Sequence, residues 1–177
     1  GESGGVTLSG GEVLLQWRFA AQVLAHCKDA GVRTAVETCL LAPPQAVEAL
    51  LPVTDQFLVD IKFLDPVLHK THLGADNRRI LENFERLLAQ GADVLVRTPL
   101  IPGYTATDEN LRAIARYLRR AAPHAPWELL NFNPLCRSKY AALERAYPVS
   151  GGALSAAELT HFYDLAAQEG ITKLVKE

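Results

Sequence analysis

The sequence predicts a parallel α/β fold, its sheet open or curved toward a barrel. Strand-like and helix-like segments alternate along the chain with little between them. The strand-like runs are short, apolar and rich in β-branched residues, as strands of a parallel sheet are. Nearly half of the 177 residues are apolar, enough for one domain with a real core. No internal repeat, low-complexity segment or dividing linker interrupts the alternation, so residues 1–177 read as a single domain.

Residues 6–9 form a first short strand, broken by Ser9-Gly10-Gly11. A helix is expected over 12–30, with Leu15, Phe19, Val23 and Cys27 on its apolar face and Gly31 as its stop. Residues 33–38 read as the second strand. Pro43-Pro44 opens a short helix through Leu51, proline being tolerated in a first turn. Residues 56–63 contain Phe-Leu-Val-Asp-Ile, a run expected to be buried on both faces. Asp76 or Asn77 caps a helix carrying Ile80, Leu81, Phe84, Leu87 and Leu88, closed by Gly91. Residues 94–98 are the next strand. Thr107 or Asp108 then starts a helix with Leu111, Ile114 and Leu118 inward. Residues 128–132 give a fifth strand. Ser155-x-x-Glu158 is a capping box for a last helix ending at Gly170, and 171–175 is a short β-like tail.

The net charge is −2 with both signs mixed along the chain, so no basic stripe points to nucleic acid. No apolar run approaches the roughly 20 residues that cross a bilayer, and no signal peptide opens the sequence, so a cytoplasmic location is expected. Cys27, Cys39 and Cys136 are widely and irregularly spaced, which argues against a disulfide framework and for a reducing compartment. Cys27 is expected to be a buried small hydrophobe. His69 and His72 lie three apart on a plausible helix, without a carboxylate-rich partner, and read as surface residues.

The functional signal lies in how the strands end. In parallel α/β folds the C-terminal strand edges and the loops after them form the binding face. Here those positions hold Ser9 and Glu12, Glu37-Thr38, Asp60-x-Lys62, Arg97-Thr98, Asn131 and Asn133. Five polar endings in succession predict one polar rim, although each alone is as readily a solvated pair, with Arg97 answering Glu37 or Asp60. The bare backbone of Gly10-Gly11 allows a polar ligand to approach closely. The rim suits a zwitterion carrying a sugar: glycine carbonyls for an ammonium, Arg97 or Lys62 for a carboxylate, Asn and acidic side chains for ribose hydroxyls. Glu37 and Asp60 also have the spacing to share a cation. No Ser/His/Asp set, Walker loop or G-x-G-x-x-G fingerprint is present, and no residue is identifiable as an acid, base or nucleophile.

These motifs resemble the glycyl-radical-enzyme activating enzymes, the pyruvate formate-lyase activating group of the radical S-adenosylmethionine superfamily. Residues 4–16, GGVTLSGGEVLLQ, are similar to the family's second-strand motif. Val36-Glu37-Thr38 and Val59-Asp60-Ile61-Lys62 resemble its next two strand ends. His69 to Asn83, with Gly74, Asn77 and Ile80-Leu81, follows in order. So do Arg97-x-Pro99-x-Ile101-Pro102-Gly103 and Glu128-Leu129-Leu130 leading to Lys139-Tyr140.

The resemblance implies a partial (β/α) barrel of about five strands with outer helices. It implies S-adenosylmethionine split at a reduced [4Fe–4S] cluster, and a 5′-deoxyadenosyl radical that takes hydrogen from a glycine of a glycyl radical enzyme. Reduced flavodoxin or ferredoxin is the implied electron donor. By position, Gly10, Gly11 and Glu12 would receive the methionine ammonium end, and Glu37, Thr38, Asp60 and Lys62 would line the middle of the site. Arg97 would belong to the same site, and Asn133 stands where some relatives carry a ribose-contacting histidine. Val13 replaces the usual proline after the Glu, and Leu40 replaces a common glycine, so the loop after Thr38 is expected to take another path.

The family's C-x₃-C-x₂-C cluster loop precedes the Gly-Gly-Glu strand, and these three cysteines cannot supply it at usable spacing. The chain therefore reads as a C-terminal fragment lacking the first strand, inactive alone, with the cluster in the parent protein only. Self-association through the first strand's open edge, beside Leu15 and Phe19, is expected. Two other classes stay open: a non-catalytic α/β binding module, and an unrelated α/β enzyme with a metal or phosphate ligand at Glu37, Asp60 and Lys62.

Overall fold

A computed structural model describes residues 4–176. They form two compact units, one running to Arg97 and the other starting at Thr98.

In the first unit, β1 (Gly5–Leu8), β2 (Arg33–Thr38), β3 (Gln56–Asp60) and the start of β4 (Val94–Leu100) lie side by side in chain order, all parallel. Each return to the sheet runs through helix, so every strand arrives with the same polarity and all C-terminal ends share one edge. Leu8 stands opposite Val36, Thr38 opposite Val59, and Asp60 opposite Arg97. Gly5 permits the β1–β2 approach: a Cβ there would sit 2.6 Å from the Arg33 carbonyl oxygen.

The expected helix over 12–30 begins as a tight turn, Val13–Gln16, before α1 (Trp17–Asp29). That turn has about three residues per turn, so a helical phase carried through it from Leu15 misses. Leu14, Ala20 and Leu24 face inward, while Leu15 and Phe19 are 77% and 65% exposed and Cys27 is only half-buried. α2 (Pro44–Leu50) continues as a short turn, Leu51–Val53. α3 (Pro66–Leu73) starts on Asp65, whose carboxylate accepts from Val67 N and Leu68 N at 2.7 and 2.9 Å. Along α4 (Arg78–Ala89), Ile80, Phe84 and Leu87 are buried. Asn77 holds its N-cap position, but Asp76 supplies the side-chain acceptor to Arg78 N, while Asn77 Nδ2 donates to the Phe63 and Leu64 carbonyls.

The run at 56–63 is not buried on both faces. β3 stops at Asp60, and along it Phe57 and Val59 are buried while Gln56, Leu58 and Asp60 stay half-buried. β2 and β4 alternate in the same way. One face of this sheet is therefore packed, and the other, carrying Glu37, Asp60 and Arg97, is left accessible.

His69 is not a surface residue. It is 5% exposed, and its Nδ1 lies 2.6 Å from the Ala75 carbonyl oxygen, which requires a protonated Nδ1. His72 is exposed and stacks on Phe63.

The second unit holds α5 (Asp108–Ala121), β5 (Trp127–Asn131), α6 (Arg137–Ala142), α7 (Ala156–Gln168) and β6 (Leu174–Val175), with β5 and β6 parallel. Thr107 caps α5, and Ser155 and Glu158 form the expected capping box of α7. Trp127 is fully buried, with its indole N–H donating to Thr98 Oγ1 at 3.0 Å, so Thr98 is a core partner. Among the described residues, six strands stand where about five were expected, the sixth being the two-residue end of the tail.

Candidate functional site

At the C-terminal edge of the first unit's sheet, the strand ends assemble one connected polar network. The Arg97 side chain, 14% exposed, is its hub. Its Nη1 donates to Glu37 Oε1 at 3.0 Å, and its Nε and Nη2 donate to Asp60 Oδ1 at 3.2 and 3.1 Å. Ser9 Oγ donates to the other Glu37 oxygen at 2.8 Å, and Lys62 Nζ lies 3.2 Å from Asp60 Oδ2. The chain Ser9–Glu37–Arg97–Asp60–Lys62 thus crosses from the end of β1 to β4. Burial alone would raise the Glu37 carboxyl, but hydrogen bonds from Arg97 and Ser9 outweigh it and hold it below the usual range. Burial works against the Arg97 charge too, and Glu37 and Asp60 more than offset it, raising its pKa. The two carboxylates share a guanidinium, the reading in which Arg97 answers both.

Glu12 lies beside this network with both oxygens engaged. Its Oε1 accepts from Leu14 N at 3.0 Å, capping the turn after the glycines, and from Thr38 Oγ1 at 2.7 Å. Its Oε2 accepts from Cys39 N at 2.9 Å and from Cys39 Sγ at 3.0 Å. A carboxylate offers about four lone-pair positions, and here each has a donor. Gly10 has φ 140°, and an added Cβ at Gly10 or Gly11 would meet nothing within 4 Å, so the backbone before Glu12 is open.

The loop after β2 keeps a left-handed turn in spite of Leu40. Leu40 has φ 61°, the conformation that a glycine adopts freely. Its N–H donates to Thr38 Oγ1 at 2.9 Å, and the buried Asn83 of α4 donates to the carbonyls of Leu40 and Ala42, both at 2.9 Å.

Ser9, Gly10, Gly11, Glu12, Glu37, Thr38, Asp60, Lys62 and Arg97, all singled out from sequence, line one cleft. Cys39 lines it too and was missed. Its signal was slight: a lone cysteine next to Thr38 at a strand end. Asn133 belongs to the second unit, where its Oδ1 accepts from Leu135 N at 3.1 Å and caps the turn at Pro134–Cys136. Asn131 exchanges two hydrogen bonds with the Leu154 backbone, fixing the approach to α7.

The described residues do not fit an iron–sulfur cluster. Cys27 is on α1, Cys39 follows β2 and Cys136 is in the second unit. Among the described residues, no group of three or more His, Cys, Asp or Glu side chains is arranged around a metal position.

Comparison with known proteins places this geometry in context. The model of the Radical SAM superfamily matches residues 1–118. The chain is 42% identical over 157 residues to the isethionate sulfite-lyase activating enzyme of Desulfovibrio desulfuricans, covering 87% of this chain and 50% of that protein. It is 38% identical over 152 residues to the benzylsuccinate synthase activating enzyme of Thauera aromatica, covering 84% and 46%. Among solved structures, a domain of a pyruvate-formate lyase-activating enzyme from Bacteroides vulgatus superposes with a TM-score of 0.80 at 26% identity, covering 98% of both chains. Streptococcus suis SuiB bound to S-adenosylmethionine shares the fold at a TM-score of 0.74 and 14% identity, over 98% of this chain and 39% of that one. The chain spans about half the length of the curated relatives it matches.

Proposed function

This chain belongs to the radical SAM superfamily, and from that premise we propose that it is the cofactor-binding part of an activating enzyme for a glycyl radical enzyme. The observation that carries the reading is the strand-end cleft, where Gly10, Gly11, Glu12, Glu37, Thr38, Asp60, Lys62 and Arg97 line one space. Relatives at 36–42% identity that bear activating-enzyme names support it.

In this reading the methionine end of S-adenosylmethionine lies along the open Gly10-Gly11 backbone. The ammonium meets backbone carbonyls and the fixed carboxylate of Glu12, and Lys62 answers the ligand carboxylate. Arg97 keeps Glu37 ionised and, through its hydrogen bonds, holds both Glu37 and Asp60 in place beside the cleft. When bound and reduced by one electron, S-adenosylmethionine would part into methionine and the 5′-deoxyadenosyl radical that takes a hydrogen atom from the partner's glycine. This chain's residues bind and orient; the electron, from a flavodoxin or ferredoxin, is routed through none of them. The outer edge of β1, with Leu15 and Phe19 exposed nearby, is read as an association surface, which light scattering across a dilution series tests.

The test of function uses the protein encoded by the complete reading frame. Loaded anaerobically with iron and sulfide, reduced and given S-adenosylmethionine, it should raise a glycyl radical signal in a glycyl radical enzyme of the kinds that its relatives' names give. The electron paramagnetic resonance doublet should vanish when the target glycine is replaced. A chain that cleaves S-adenosylmethionine but radicalises no glycine would move the function elsewhere in the superfamily.

A further inference from the structure

The saturation of Glu12 poses a problem for any ligand that needs it. Its four acceptor positions are filled by Leu14 N, Thr38 Oγ1, Cys39 N and Cys39 Sγ. An ammonium that binds there must displace one donor. Three of them cannot leave cheaply. Leu14 N belongs to the capped turn that follows the glycines, and Cys39 N is main chain fixed by the turn at Leu40. Thr38 Oγ1 is buried and also accepts from Leu40 N, so its hydroxyl is aimed. The fourth is a thiol, a weak donor.

We infer that the Cys39 thiol is a displaceable donor on Glu12: it holds one acceptor position of the carboxylate and yields it to an incoming ammonium. The inference rests on the reading of the cleft as an S-adenosylmethionine site, and it makes Cys39 a positioning residue that acts through Glu12. Without a ligand, the carboxylate stays fully hydrogen-bonded and preset in orientation. On binding, a weak S–H···O contact is exchanged for a charge-assisted N–H···O contact. The exchange runs both ways. Burial, and then the hydrogen bond to Glu12, push the Cys39 thiol up to about 11, with the Leu41 backbone and Lys62 acting in the opposite sense. Burial and Glu12 together keep the sulfur protonated and withhold a thiolate from metals and oxidants. Of the other charged groups in the cleft, Glu37, Asp60 and Arg97 are already paired with one another.

The S–H stretching band in the infrared reads this contact directly, with Cys39→Ala identifying the Cys39 band. In the free wild type the band should lie at low wavenumber, as for a thiol donating to a carboxylate. It should move up in Glu12→Gln and move up in wild type with saturating S-adenosylmethionine. A band unmoved by Glu12→Gln, or unmoved by S-adenosylmethionine, overturns the inference. Equilibrium dialysis separates the two ideas. Ligand retained with the band unmoved sinks the displaceable donor alone, and ligand not retained sinks the site reading with it. A second measurement needs no variant. Alkylation of Cys39 in the wild type should still rise about tenfold per pH unit at pH 10, and a plateau below pH 9 would show that Glu12 does not hold the thiol.

Discussion

Asn83 of α4 donates to the carbonyl of Leu40 at 2.9 Å, and Leu40 stands at φ 61°, so a buried amide on one element holds a strained residue on another. A non-glycine residue in that region costs roughly 1–2 kcal/mol, and the surroundings must determine it. Asn83→Ala leaves the Leu40 and Ala42 carbonyls without that donor and should destabilise the first unit by about 2–3 kcal/mol, measured by urea denaturation. Amide exchange at Cys39, whose N–H donates to Glu12, should rise more than exchange along α1. A loss below about 0.5 kcal/mol would show that the clamp is idle.

Arg97→Gln removes the cation that Glu37 and Asp60 share. With two half-buried carboxylates left facing each other, we expect a loss of about 2 kcal/mol and a Glu37 titration that moves upward. Carboxyl carbon NMR shifts against pH measure the second effect. Arg97→Lys should fail to restore either, because a point charge cannot form the forked contacts that Nε, Nη1 and Nη2 make.

Glu169 gives a pH prediction within the second unit. Hydrogen bonds from Arg116 first, then Arg112, hold its carboxyl at about 2, below the ordinary 4.5. A folded pKa below the unfolded one contributes stability that is present above about 4.5 and is lost as pH falls toward about 2. Wild type should therefore melt above Glu169→Gln at neutral pH, and the gap should close through that acid window. A gap independent of pH would assign the effect to packing.

Gly5→Ala places a Cβ 2.6 Å from the Arg33 carbonyl oxygen, a backbone atom that cannot move aside without parting β1 from β2. We expect faster amide exchange along Val6–Leu8 and a lower melting temperature. Gly11→Ala, which meets nothing within 4 Å, should leave both nearly unchanged.

The order of strands and helices was legible because apolar period and capping residues are local signals, as Thr107 and the Ser155–Glu158 box show. The cleft was legible for a different reason: parallel connections force strand ends onto one edge, so polar residues at Glu37, Asp60 and Arg97 had to meet. Other features depended on contacts that no window contains. The tight turn after Glu12 exists because that side chain caps it, and it turned Leu15 and Phe19 outward. His69 is buried because the loop returning through Ala75 brings a carbonyl to its ring. Leu40 holds a left-handed conformation in a loop fixed by Thr38 and by Asn83, 43 residues on. Cys39 offered little signal, since its significance comes from Glu12 arriving from the turn after β1.

A titration of the isotope-labelled chain with S-adenosylmethionine, followed by amide chemical shifts, tests directly whether the strand-end cleft binds it. Saturable shifts are expected at Gly10, Gly11, Cys39 and Lys62. In Glu12→Gln the affinity should fall by at least about tenfold, the loss of one charge-assisted hydrogen bond. No saturable shift, shifts centred away from these residues, or an affinity unchanged in Glu12→Gln would contradict this reading of the cleft.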